Sequence, residues 1–130
     1  MCEGGRMACG NGLILLIEDD DDLREVEVGI LERAGFRVVS AREGGEALEL
    51  VAREMPKVIF LDMRMPGMDG WAFAREFHAR HDHGAPIVVV TAAASAEKRA
   101  EEISADGALG KPFEARDFIK VAEAHLSCGT

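Results

Sequence analysis

Three stretches of the chain, Leu13 to Ile17, Val58 to Leu61 and Ile87 to Val90, are apolar at every position. Runs this short do not make helices, and without polar alternation each must be a strand buried on both faces. Such strands belong to a sheet sandwiched between helices, so the runs constrain the whole fold and not only themselves. Two weaker segments extend the set: Phe36 to Ser40, and the poor strand 107–110, Gly-Ala-Leu-Gly, which leads into Lys111-Pro112-Phe113.

Helical patterns fill the intervals. Leu23, Val26, Ile30 and Leu31 form an apolar stripe that stops at Gly35, with acids at its start suited to the positive end of the helix dipole. Glu43 to Arg53 places Ala47, Leu48 and Val51 on one face, and Pro56 lies just beyond it. Asp69 can cap a helix over Gly70 to Arg80 whose buried face is Trp71, Ala74 and Phe77. A short helix over Glu97 to Ser104 is patterned around Ala100 and Ile103, and a last one from Glu114 to Leu126 around Phe118, Ala122 and Leu126. Strands alternating with helices in this way predict βαβ units, hence a single three-layer α/β domain on a parallel sheet.

Size and charge narrow the possibilities. A chain of 130 residues buries roughly two-thirds of the surface it exposes unfolded, enough for one self-sufficient core. The expected limits are a glycine-rich leader over residues 1–12, the domain over 13–127 and a tail at 128–130, with no attached output domain. No apolar run approaches the ~20 residues of a membrane span, and the start lacks the basic-then-apolar layout of a secretory signal, so a cytoplasmic protein without membrane contact is expected. A net charge of −9 argues against nucleic-acid binding, which needs a basic face. Cys2, Cys9 and Cys128 lack metal spacing and read as incidental thiols, while His78, His81 and His83 read as solvated.

The chemistry is expected where the strands end. Ile17 runs into Glu18-Asp19, Leu61 into Asp62, Val90 into Thr91, and the fifth strand into Lys111. In open parallel sheets, ligands bind outside the carboxyl ends of the strands where the strand order reverses. With the flavodoxin-like order 2-1-3-4-5, the first and third strands are neighbours, and Glu18, Asp19 and Asp62 meet. Three carboxylates at one spot repel unless a cation sits among them, and an all-oxygen site with room for water and phosphate suits Mg²⁺. Acids stand where a nucleotide site would have glycines, which disfavours a nucleotide. A carboxylate beside Mg²⁺, facing a lysine and a hydroxyl, is what phosphoryl transfer to an aspartate requires: Asp62 as nucleophile, Lys111 pairing with a phosphoryl oxygen, Thr91 donating a hydrogen bond.

The segments Ile14-Leu15-Leu16-Ile17-Glu18-Asp19, Leu61-Asp62-Met63-Arg64-Met65-Pro66-Gly67-Met68-Asp69-Gly70, Val90-Thr91-Ala92 and Lys111-Pro112-Phe113 carry a specific likeness. Over about residues 12 to 127 the sequence resembles the receiver domains of two-component response regulators. The resemblance implies that Glu18, Asp19, Asp62 and the Arg64 backbone carbonyl hold Mg²⁺. It also implies that Asp62 takes a phosphoryl group from a sensor histidine kinase or a histidine phosphotransfer protein, and that the Lys111–Pro112 bond is cis. Output is then contact with a downstream protein, or relay to a second histidine protein; the oligomeric state is left open.

One departure stands out. Receivers usually carry Tyr or Phe three residues before the lysine, where this chain has Ala108, so the usual threonine-to-aromatic switch is absent or altered. Ala93, two residues after Thr91, cannot orient an attacking water, and Arg64 could shield the phosphoryl group, which predicts slow self-dephosphorylation. An alternative is a receiver-like interaction module that works without phosphorylation. A phosphatase would need a second catalytic aspartate at position 64, which is arginine, so no turnover enzyme is expected.

Overall fold

The computed structural model describes residues 12–63, 69–82 and 84–126. Residues 1–11 of the expected leader, the expected tail, the loop 64–68 that includes Arg64, and the Ala93 side chain lie outside what is described. In chain order the elements are β1 (Leu13–Ile17), α1 (Asp21–Arg33), β2 (Arg37–Ala41), α2 (Gly44–Arg53), β3 (Val58–Asp62), α3 (Gly70–His81), β4 (Ile87–Ala92), a short 3₁₀ turn (Ala93–Ser95), α4 (Ala96–Glu102), β5 (Gly107–Lys111) and α5 (Ala115–Leu126). All five strands pair in parallel, in the order β2-β1-β3-β4-β5. This is the flavodoxin-like three-layer arrangement that the strand runs predicted. No helix among the described residues is long and apolar enough to cross a membrane.

Strand side chains alternate between two cores because successive residues point to opposite faces. Leu15, Ile17, Ile59, Leu61, Ile87 and Val89 pack on one face against Leu48 and Val51 of α2, Phe73 and Phe77 of α3, and Ala100 of α4. Ile14, Leu16, Val58, Phe60, Val88 and Val90 pack on the other against Leu31 of α1 and Phe118, Ala122 and Leu126 of α5. Phe60 meets Phe118 edge-on, with ring centroids 4.8 Å apart. A continuous apolar run is therefore two interleaved faces, each with its own helical partner.

Local sequence sets where the helices begin and end. Asp20 caps α1 by accepting from the Leu23 N–H at 3.0 Å, and Asp69 caps α3 by accepting from the Ala72 N–H at 2.9 Å. After α1, Gly35 takes φ +99°, a conformation that favours glycine. There the Gly35 N–H donates to the Glu32 carbonyl and the Phe36 N–H to the Leu31 carbonyl, closing the helix in a Schellman motif. The Lys111–Pro112 bond is cis, as the family resemblance implies.

Two helix faces differ from the sequence reading. On α1, Leu23 and Val26 are 40% and 57% exposed, and the residues turned inward are Glu27 and Leu31. Positions 27 and 31 share a face at i, i+4, and the charge at 27 hid its place in the buried stripe. On α3 the buried set is Gly70, Phe73, Ala74 and Phe77, whereas Trp71 is only partly buried. Smaller shifts occur at β2 and at α4, which follows the 3₁₀ turn and ends at Glu102.

Gly70 is required by close approach. A Cβ there would lie 2.6 Å from the Met63 Sδ and 2.7 Å from the Met63 Cα, and the backbone atom cannot move without shifting the end of β3. We expect Gly70→Ala to lower stability by about 1–3 kcal/mol, read from urea denaturation midpoints at unchanged slope; a loss within experimental error would show that α3 can slide away from β3 freely.

Candidate functional site

The parallel register brings the strand ends to one edge of the sheet. Ile17 pairs with Leu61, Asp62 with Val90, and Thr91 and Ala92 with Gly110 and Lys111. Glu18, the residue after β1, is anchored by its N–H donating to the Ala41 carbonyl at 3.0 Å. Glu18 and Asp62 are 2% and 6% exposed, Thr91 is buried, and Asp19 is exposed. All five predicted side-chain positions, Glu18, Asp19, Asp62, Thr91 and Lys111, line one cavity of about 1000 Å³.

Carboxylate oxygens of Glu18, Asp19 and Asp62 lie within 4.8 Å of one another. Three hard oxygen donors at that separation, two of them buried, fit a small divalent cation. Asp62 is embedded in the sheet as the last residue of β3, whereas Asp19 reaches the group from the solvent side. The fit thus rests on three of the four positions expected to hold the ion, the Arg64 carbonyl being outside the described residues.

In this structure Lys111 partly balances the negative charge. Its Nζ donates to Glu18 Oε1 at 2.9 Å, while Glu18 Oε2 accepts the Asp20 N–H at 3.2 Å. Burial by itself would lower the pKa of Lys111. The hydrogen bond to Glu18 and the charges of Asp62, Glu18 and Glu27 outweigh that penalty and raise it. Lys111 therefore stays an ammonium, with a charge available to an anion that enters the cavity. Arg24 steadies the same turn by donating from Nη1 to the Glu18 carbonyl at 3.0 Å and pairing with Asp21.

Two features of the cavity escape the sequence reading. Glu27 contributes a buried carboxylate whose pKa is pushed up to about 7, first by burial and then by the charges of Glu18, Asp62 and Asp20, with Lys111 opposing. Opposite it, Trp71 and Arg99 line the wall, and the Trp71 Nε1–H donates to Glu102 at 2.8 Å. Arg99 grips both Glu102 oxygens at 2.7 and 2.8 Å and lies 5.5 Å from the Trp71 ring centroid, so α3 and α4 are clasped beside the site. Nothing in the spacing of Trp71 and Arg99 announces this contact, because it joins separate helices. The outer rim is apolar, with Leu23, Val26, Ile30, Pro112 and Phe113. Ala108 pairs with Val89 and packs against the core beneath α4, far too small to reach the cavity as an aromatic ring could.

Comparison with known proteins agrees with the fold. The family model of the response regulator receiver domain matches residues 14–123. Regulatory protein VanRB of Enterococcus faecalis is 36% identical over 115 residues, 87% of this chain and 51% of that protein. The DNA-binding transcriptional regulator NtrC of Escherichia coli is 32% identical over 118 residues, 89% of this chain and 25% of that protein. The chain thus spans about half or less of the length of these curated relatives. Among solved structures, the chemotaxis protein CheY4 of Vibrio cholerae matches with a TM-score of 0.81 at 28% identity, covering 90% of this chain and 100% of that one. The receiver domain of NtrX from Brucella abortus matches with a TM-score of 0.79 at 30% identity, covering 89% of this chain and 99% of that one.

The raised pKa of Glu27 makes stability depend on pH. Folding moves it from 4.5 to about 7, so the folded state holds a proton that the unfolded state has released. This stabilising contribution is complete below about pH 4.5 and is lost as pH rises through about 7. In EDTA, Glu27→Gln should remove that fall, leaving the variant about 3 kcal/mol more stable than the parent at pH 8. Urea denaturation at a series of pH values checks this; parallel curves for the two proteins would contradict it.

Proposed function

The chain belongs to the response regulator receiver domain family of two-component signalling, and on that premise we propose that it accepts a phosphoryl group on Asp62 from a phosphohistidine donor. The observation that carries the reading is the convergence of the Glu18, Asp19 and Asp62 carboxylates with Thr91 and Lys111 in one cavity. An Asp62 oxygen forms a new bond to phosphorus as the donor's P–N bond breaks. The electron pair of that bond returns to the imidazole, and the product is an acyl phosphate.

Lys111 supplies a fixed positive charge for one phosphoryl oxygen, and the Thr91 hydroxyl donates to another. Glu18, Asp19, Asp62 and the Arg64 carbonyl are the residues that would hold Mg²⁺. The ion's contribution when bound is to offset the charge that phosphoryl transfer brings into a carboxylate-lined pocket. The added group, with about two negative charges, then biases a conformational equilibrium that a partner protein reads.

The donor is a sensor histidine kinase or a histidine phosphotransfer protein, and the signal passes on by contact with a downstream protein or by relay. Leu23, Val26, Ile30 and Phe113 on the rim support a protein donor, since any histidine brought to Asp62 must carry its surroundings across this apolar border. Ala108 favours a second reading, in which the domain binds partners whether or not it is phosphorylated.

Incubation with Mg²⁺ and acetyl phosphate, followed by intact-mass measurement, separates the two. We expect a gain of one phosphoryl group that is absent in Asp62→Asn and in EDTA; no gain, or a gain that survives Asp62→Asn, leaves the second reading. Because Ala93 offers no group to orient water, the label should also persist through a chase of minutes. Decay within seconds would show that another group activates the water.

A further inference from the structure

Glu27 is a buried carboxylate that the phosphoryl-transfer reading does not employ. It is 4% exposed, projects from α1 into the cavity that holds Glu18, Asp62 and Lys111, and its side chain makes no hydrogen bond among the described residues. A carboxylate taken out of water without a hydrogen bond or a counter-charge is strongly unfavourable, so its position calls for a positive partner. The charges around it are Glu18, Asp62 and Asp20, all negative, and Lys111. Lys111 in turn feels Asp62, Glu18 and Glu27.

Both carboxylate oxygens of Glu18 already hold a hydrogen bond. One oxygen accepts Lys111 and the other accepts the Asp20 N–H. A divalent cation held by Glu18, Asp19 and Asp62 would stand beside the Lys111 ammonium, and like charges cannot share Glu18 Oε1 without strong repulsion. Lys111 must then leave Glu18, and Glu27 is the buried carboxylate of the cavity that is neither a cation ligand nor the phosphoryl acceptor; Asp20, which also lines the cavity, is exposed and caps α1 through the Leu23 N–H. We propose that Glu27 is a positioning residue for Lys111, receiving its ammonium when Glu18 turns to the divalent cation and keeping it in the cavity until a phosphoryl group on Asp62 draws it away. This rests on the reading of Glu18, Asp19 and Asp62 as the Mg²⁺ site.

The consequence is a coupling between Glu27 and cation affinity that runs through Lys111. Without Glu27 the ammonium stays on Glu18 and competes with the ion; without Lys111 there is no competitor to remove. Mg²⁺ dissociation constants at pH 8 for the parent, Glu27→Gln, Lys111→Met and the double variant form a cycle that isolates this term. Isothermal calorimetry measures them, with emission from Trp71, the single tryptophan and a lining residue of the cavity, as a second readout.

Glu27→Gln should weaken Mg²⁺ binding by about five- to tenfold with Lys111 present and by less than about twofold in the Lys111→Met background. Equal weakening in both backgrounds would make Glu27 a direct contributor to the field at the ion, and weakening in neither would make it a bystander; either overturns the proposal. A parent that binds no Mg²⁺ overturns the cation reading and this one with it, whereas a parent that binds while the cycle shows no coupling overturns only the role of Glu27. Metal-free melting confirms that each variant is folded, and Glu27→Leu replaces Glu27→Gln in the cycle if the latter is not.

Discussion

Negative charges forced together at the ends of two adjacent buried strands dominate this molecule. β1 and β3 are apolar on both faces and pair with Ile17 opposite Leu61, so the residues that follow, Glu18 and Asp62, emerge side by side. Neither strand can slide without exposing its core side chains, and the electrostatic cost is therefore built into the hydrophobic packing. The Lys111–Glu18 ion pair at 2.9 Å offsets part of that cost, and it reaches the site from the far edge of the sheet only because β4 and β5 continue the same parallel register. Folding assembles an excess of negative charge of the kind that a divalent cation offsets.

The walls of the cavity differ in character, and each suits a different task. The α1 side carries Leu23 and Val26 outward and Glu27 inward, so one helix offers an apolar border to a partner and a charge to the interior. The α3–α4 side is closed by Trp71, Arg99 and Glu102, joined by hydrogen bonds and by the guanidinium near the indole ring. Arg99 and Trp71 hold the Glu102 carboxyl below its usual range, consistent with a firmly charged clasp. With alanine at 108, this clasp places an aromatic ring at the cavity wall beside α4, and any displacement of α4 would have to work against it.

Much of the architecture was legible from residue patterns because the forces involved are local. The cap at Asp69 acts within three residues, Gly35 adopts a backbone conformation that other residues resist, and the apolar runs of β1, β3 and β4 leave no polar face for solvent. The face of α1 was misread because Glu27 looks like a solvent residue, and only the surrounding elements reveal that it is buried. The sequence pattern places Trp71 on one buried face with Ala74 and Phe77, yet its ring sits at the cavity wall, where its N–H finds a carboxylate on another helix.

By itself the sequence determined the strands, the order in which polar residues close them, and the receiver family, because burial periodicity and motif spacing are properties of a short stretch of chain. Only the tertiary structure decided which of those polar groups touch and which charges are left to balance one another. Lys111 lies 93 positions from Glu18, and Glu102 lies 31 from Trp71. Distances across a sheet or between helices depend on packing and register summed over the whole fold, and no local pattern encodes them.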